Sequence, residues 1–131
     1  HMQGAPQNMQ TKPTYNDVVL DILKYFSKKI NKLAELGVND IIIDPGFGFG
    51  KTIEHNYEIL DRFNEFNLLN LPTLAGLSRK SMIYKKLGIT PEESLPETIR
   101  LNKIALLRGV NILRVHDVKE AVEITESYKD D

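Results

Sequence analysis

Ile41-Ile42-Ile43-Asp44-Pro45-Gly46-Phe47-Gly48-Phe49-Gly50-Lys51 is the stretch on which the fold turns. Three β-branched residues without polar alternation predict a short strand covered on both faces, as in a parallel sheet. The glycines after it predict a tight turn, and residues 56–66 then take helical spacing through Tyr57, Leu60 and Phe63. Upstream, Val18, Val19, Ile22, Leu23, Phe26, Ile30, Leu33 and Ala34 recur at three- and four-residue steps, predicting an amphipathic helix over 15–36 that stops at Gly37. Residues 1–14, with Gly4, Pro6 and Pro13, predict a loop. Downstream come a strand over 71–77, a helix over 98–107 ended by Gly109, a strand over 112–115 and a helix over 119–128. The order αβαβαβα implies parallel pairing and right-handed crossovers, hence an α/β fold: a doubly wound sheet or part of a (β/α) barrel. Periodicity does not choose between them. Three parallel strands leave two open edges, so further strands are expected to complete the sheet.

Composition narrows the function classes. The chain has 131 residues, 41% of them hydrophobic and 27% charged, which fits one globular domain. Its 17 basic and 18 acidic residues leave no positive field for nucleic acid. No apolar run approaches the roughly 20 residues of a membrane span, and residues 1–10 lack the pattern of a secretory signal. A cytoplasmic setting is the expectation. With no cysteine, disulfides, thiolate-bound zinc and thiol catalysis are excluded.

Ligands of both candidate folds bind at the carboxyl ends of strands, and all three predicted strands end in polar residues. The first end carries Asp44 and the glycines, the second Gly76-Leu77-Ser78-Arg79-Lys80-Ser81, the third Arg114-Val115-His116-Asp117. The glycine spacing fits neither the P-loop nor the dinucleotide fingerprint, and the glycines alone could serve a tight turn. Asp44, placed after three isoleucines, needs a hydrogen-bonding partner if buried. Alternation puts Ile112, Arg114 and His116 on one face, where guanidinium and imidazole suit a phosphate or pyrophosphate. The alternative is an internal salt bridge from Arg114 to Asp44 or Asp117. Residues 78–81 offer hydroxyl and ammonium donors to an anionic or heteroaromatic ligand, or else form a solvated turn. Lys28-Lys29 and Lys85-Lys86 read as solubility charges, and no ligand-spacing motif marks a metal site.

Together these residues resemble dihydropteroate synthase, the folate-pathway transferase, over essentially the whole chain, with the character of the Bacteroides-type sequences. Residues 1–6 with Met9-Gln10 resemble the segment after the family's fifth barrel strand. Residues 44–51 resemble the sixth-strand motif, and residues 78–81 and 114–118 those after the seventh strand and at the eighth. The resemblance implies the C-terminal half of a TIM (β/α)8 barrel, a partial pterin-binding domain over 1–131 running from the end of strand five through helix eight. It implies condensation of 6-hydroxymethyl-7,8-dihydropterin pyrophosphate with p-aminobenzoate to dihydropteroate and pyrophosphate, assisted by Mg²⁺ held through the substrate pyrophosphate and residues outside this chain. By motif, Asp44 binds the pterin, Lys80 contacts the pterin near p-aminobenzoate, Ser81 holds the p-aminobenzoate carboxylate with Phe49 beside it, Gly76 lines the site, and Arg114 and His116 take the departing pyrophosphate. Lys80, Arg114 and His116 are the catalytic candidates. The resemblance further implies a homodimer and a chain inactive by itself, or alternatively a non-catalytic partial barrel that binds pterin or phosphate only in an assembly. The chain departs from the family at Pro96-Glu97-Thr98-Ile99-Arg100, where a Gly-Thr/Ser stretch and a small residue are usual.

Overall fold

The computed structural model describes residues 1–4, 7 and 13–128. Helix α1 spans Val18–Glu35, later than the predicted start because the Asp17 carboxylate caps it, accepting from the Leu20 amide at 3.0 Å. Helix α2, Ile53–Asp61, begins earlier than predicted for a related reason. Thr52 Oγ1 accepts from the His55 amide and His55 Nδ1 from the Thr52 amide, both at 3.1 Å, a reciprocal cap that satisfies two orphan donors. The tail of that predicted helix is instead a 3-10 segment, Phe63–Leu69. Helix α3, Ser81–Leu87, is absent from the sequence-based expectation: two turns are too short to show a period, and only Met82 and Ile83 are buried. Helix α4, Leu95–Leu107, starts before residue 98 because Pro96 occupies its first turn, where a missing N–H costs nothing. Helix α5 is Val118–Ser127.

The strands stand where expected but are shorter. Strand β1 (Leu74–Ala75) and strand β2 (Ile112–Leu113) pair in parallel, Leu74 opposite Ile112 and Ala75 opposite Leu113. Ile43 joins through a parallel bridge to Thr73, its amide donating to the Pro72 carbonyl at 2.9 Å and its carbonyl accepting from Leu74 at 2.8 Å. Pro72, lacking an N–H, limits how far this ladder extends. The reading of 41–43 as covered on both faces is corrected: Ile43 is buried under the helices, whereas Ile42 is 56% exposed.

All helical cover lies on one face. Val19, Ile22 and Phe26 of α1, Ile59 of α2, Ala75, Leu77, Met82, Leu101 and Ala105 make one continuous core. Phe47, from the glycine-rich loop, is fully buried in it and stacks on Phe63 at 6.2 Å, with Phe63 edge-on to Phe66 at 5.2 Å. The loop after Ile43 is thereby pinned to the core by its own aromatic. The predicted alternation holds across 112–116: Leu113 and Val115 are half-buried toward the helices, and Ile112, Arg114 and His116 are exposed on the open face. Among the described residues, no helix is long and apolar enough to cross a membrane.

Candidate active site

The parallel ladder brings the three strand ends to one edge of the open face. Asp44 follows Ile43, residues 76–80 follow β1, and Arg114 and His116 follow β2. Asp44 is partnered rather than sequestered, with a side chain 32% exposed. Its Oδ1 accepts from the Gly46 amide at 2.8 Å, and its Oδ2 stands 3.5 Å from Arg114 Nη1. The internal pair that sequence offered as the alternative role of Arg114 therefore exists. It does not exhaust that side chain, which remains 57% exposed. The Arg114 guanidinium lies across Gly76: a Cβ there would meet Nη2 at 2.7 Å, so a larger residue would push the guanidinium tip from this position.

Gly46 and Gly50 do more than turn the chain. Both have positive φ, and a Cβ on either would strike backbone of the N-terminal segment, the His1 carbonyl at Gly46 and the Gln3 carbonyl, at 2.5 Å, at Gly50. Of the residues quoted for that segment, His1 and Gln3 lean on this loop, while Ala5, Pro6, Met9 and Gln10 lie outside the described residues.

Two lysines fasten the loop through its carbonyls. Lys51 is 3% exposed, and its Nζ donates to Gly46 (2.8 Å), Phe49 (2.9 Å) and His1 (3.2 Å). Burial pushes this amine down to about 7, against the opposing pull of Asp44 and with the repulsion of Lys80. Sequence reading gave Lys51 no role beyond closing the glycine-rich stretch. Lys80 Nζ donates to the Phe47 carbonyl at 2.6 Å and sits 5.0 Å from the centre of the Phe49 ring. Burial first, then the Arg114 charge, push it down to about 8, with Asp44 opposing.

Two adjoining recesses share Phe49 and Arg114. The smaller, about 190 Å³, is lined by Phe49, Gly76, Ser78, Lys80, Arg114 and His116. The larger, about 480 Å³, is walled by Asp44 and Gly46 together with His1, Met2 and Tyr25. The first is a slot with two cationic side chains and an imidazole at its rim, suited to a polyanion. The second offers a carboxylate to an amino-bearing ring. Six of the seven residues singled out from sequence, Asp44, Phe49, Gly76, Lys80, Arg114 and His116, come together here. Ser81 begins α3 and does not line either recess. Ser78, read from sequence only as one of the donors at 78–81, is buried, and its Oγ accepts from the His116 amide at 3.1 Å, tying the second strand end to the third.

A larger groove of about 660 Å³ runs over α2, lined by Tyr57, Glu58, Arg62 and Lys86 among others. Its cationic side chains are already partnered: Lys86, exposed as its reading as a solubility charge expects, places Nζ 3.8 Å from the Tyr57 ring centre, and Arg62 pairs with Asp17, Glu58 and Glu65. The chemistry therefore belongs to the strand ends. Glu97 and Arg100 pair with each other at 2.6 Å along α4 and leave that helix intact.

Comparison with known proteins bears on this arrangement. The model of the pterin binding enzyme family matches residues 1–116. The dihydropteroate synthase of Escherichia coli K12 is 46% identical over 125 residues, 94% of this chain and 44% of the relative. That of Haemophilus influenzae is 44% identical over 131 residues, 98% of this chain and 48% of the relative. The chain thus spans about half the length of the curated relatives it matches. Among solved structures, Yersinia pestis dihydropteroate synthase in a sulfonamide drug complex superposes with a TM-score of 0.96 at 40% identity, covering 99% of this chain and 48% of that one. The Thermus thermophilus enzyme in complex with 6HMPPP gives 0.93 at 34% identity, covering 99% and 53%.

Proposed function

The chain belongs to the pterin binding enzyme family, and from that premise we propose that residues 1–131 form the part of a dihydropteroate synthase barrel from the end of strand five through helix eight. The α/β architecture is that of half a TIM barrel, which resolves the choice that periodicity leaves open. The proposed reaction joins 6-hydroxymethyl-7,8-dihydropterin pyrophosphate to p-aminobenzoate, in the cytoplasm and in a homodimer. The observation that carries this reading is the convergence of Asp44, Lys80, Arg114 and His116 on two recesses that share a wall.

In this reading Asp44 accepts hydrogen bonds from the pterin's amino and ring N–H groups. Lys80 leaves the Phe47 carbonyl to donate to the pterin, and Arg114 and His116 receive the pyrophosphate as its C–O bond breaks. The Arg114 guanidinium and the His116 imidazole stabilise the negative charge that develops on the leaving group, and the pterin is held for attack by the p-aminobenzoate amine, so no covalent enzyme intermediate is needed. Ser81 and Phe49 are assigned to p-aminobenzoate. Among the described residues no three His, Asp or Glu stand together as a metal cage. In this reading Mg²⁺ is a companion of the pyrophosphate oxygens, held through them and through residues outside this chain. Relatives twice as long make turnover by this chain alone unexpected.

Phe49, Gly76, Ser78, Lys80, Arg114 and His116 line the slot from this chain, so their part in it can be tested directly. Calorimetric titration of the folded chain with inorganic pyrophosphate is expected to show binding, weakened roughly tenfold or more by Arg114→Ala. Titration with a pterin is expected to lose its heat on Asp44→Ala. Indifference of both ligands to both substitutions would favour a partial barrel whose site forms only in an assembly.

A further inference from the structure

Arg79 stands between Ser78 and Lys80, yet its side chain turns away from both recesses. Its φ is 52°, the left-handed region that an L-residue with a Cβ adopts only when its surroundings compel it. What compels it is a full set of partners. Nη2 and Nε donate to the two carboxylate oxygens of Asp117 at 2.9 and 3.1 Å, a two-pronged pair in which both side chains are about three-quarters buried. Nη1 donates to the carbonyls of Glu92 (3.0 Å) and Pro91 (3.3 Å), and the Arg79 amide donates to Thr98 Oγ1 at 3.2 Å. Asp117 directly follows His116. The pair therefore joins the loop carrying Lys80 to the loop carrying Arg114 and His116, parallel to the bond from the His116 amide to Ser78.

We propose that Arg79 and Asp117 are a positioning pair, fixing the spacing of Lys80 against Arg114 and His116 and thereby the affinity of the slot for a pyrophosphate anion. The proposal rests on the reading of the slot given above. Planarity matters here: a lysine at 79 would keep the charge but could not grip both oxygens of Asp117 and the carbonyls of residues 91 and 92 at once.

Simple electrostatics and positioning predict opposite signs, which makes the test decisive. Removing an acidic charge next to an anion slot, as in Asp117→Asn, strengthens anion binding if charge alone matters; positioning predicts that affinity for inorganic pyrophosphate falls threefold or more. Arg79→Lys conserves charge, so charge alone predicts no change and positioning predicts a comparable fall. Arg62→Ala is the control, since it removes an arginine with three carboxylate partners far from the slot, and should lower Tm while leaving pyrophosphate affinity within twofold. Each is measured by calorimetry on the full chain beside a thermal melt. Tighter or unchanged binding in Asp117→Asn overturns the proposal, as does unchanged binding in Arg79→Lys should the first variant not fold. Absence of pyrophosphate binding by the unsubstituted chain overturns the reading of the slot itself.

Discussion

A lysine ammonium hidden from water is expensive unless its protons are taken up, and Lys51 gives its protons to three backbone carbonyls from two segments of the chain. Its amine sits near 7 in the fold and at 10.5 in the unfolded chain. Between those values the unfolded chain binds the proton that the folded chain has released, so folding becomes more favourable as pH rises from about 7 toward 10. Below about 7 the lysine is charged in both states and the effect is constant. Lys51→Met is expected to cost on the order of 2–4 kcal/mol by stranding the carbonyls. It should also flatten the rise: in melts from pH 6 to 10, the Tm of the unsubstituted chain climbs relative to Lys51→Met, and parallel curves would contradict this account. Asp44 and Arg114 were legible because strand alternation and position after an apolar run are local signals. Lys51 was not, since its partners are carbonyls that any residue carries. Nor was Arg79, whose acceptors lie 12 to 38 residues away.

Elements begin and end here on side-chain chemistry more than on periodicity. Asp17, Thr52 and Pro96 each move a helix start away from where the apolar repeat places it. The cap at α2 matters most for the site, because Thr52 directly follows Lys51 and the Asn56 side chain of the same helix accepts from the Gly48 amide at 2.8 Å. Thr52→Ala should cost about 1 kcal/mol and lower Tm by roughly 3–5 °C. An unchanged melting temperature would mean that burial alone starts the helix. Helix existence was legible wherever the apolar stripe exceeded two turns. α3 escaped, and Phe47 was passed over as a turn residue although it is a core aromatic, because its burial depends on Phe63 arriving from sixteen residues further along.

At the scale of the molecule, the helices cover one face and leave the other open, with Ile42 and Ile112 exposed on it beside two ladder edges that no further strand covers among the described residues. Exposed edges and apolar side chains favour association. Sedimentation of the isolated chain is therefore expected to show mass rising with concentration; a monodisperse monomer that melts in one cooperative step would count against this. Sequence by itself determined the αβ alternation, the parallel ladder, the polar strand ends and, through four ordered motifs, the family, because each of these is written in short-range pattern. Tertiary structure alone decided that Gly76 makes room for the Arg114 guanidinium, that two lysines hold the glycine-rich loop by its carbonyls, and that Arg79 reaches Asp117. Those facts depend on distances between segments far apart in the chain, and no local pattern of residues encodes a distance.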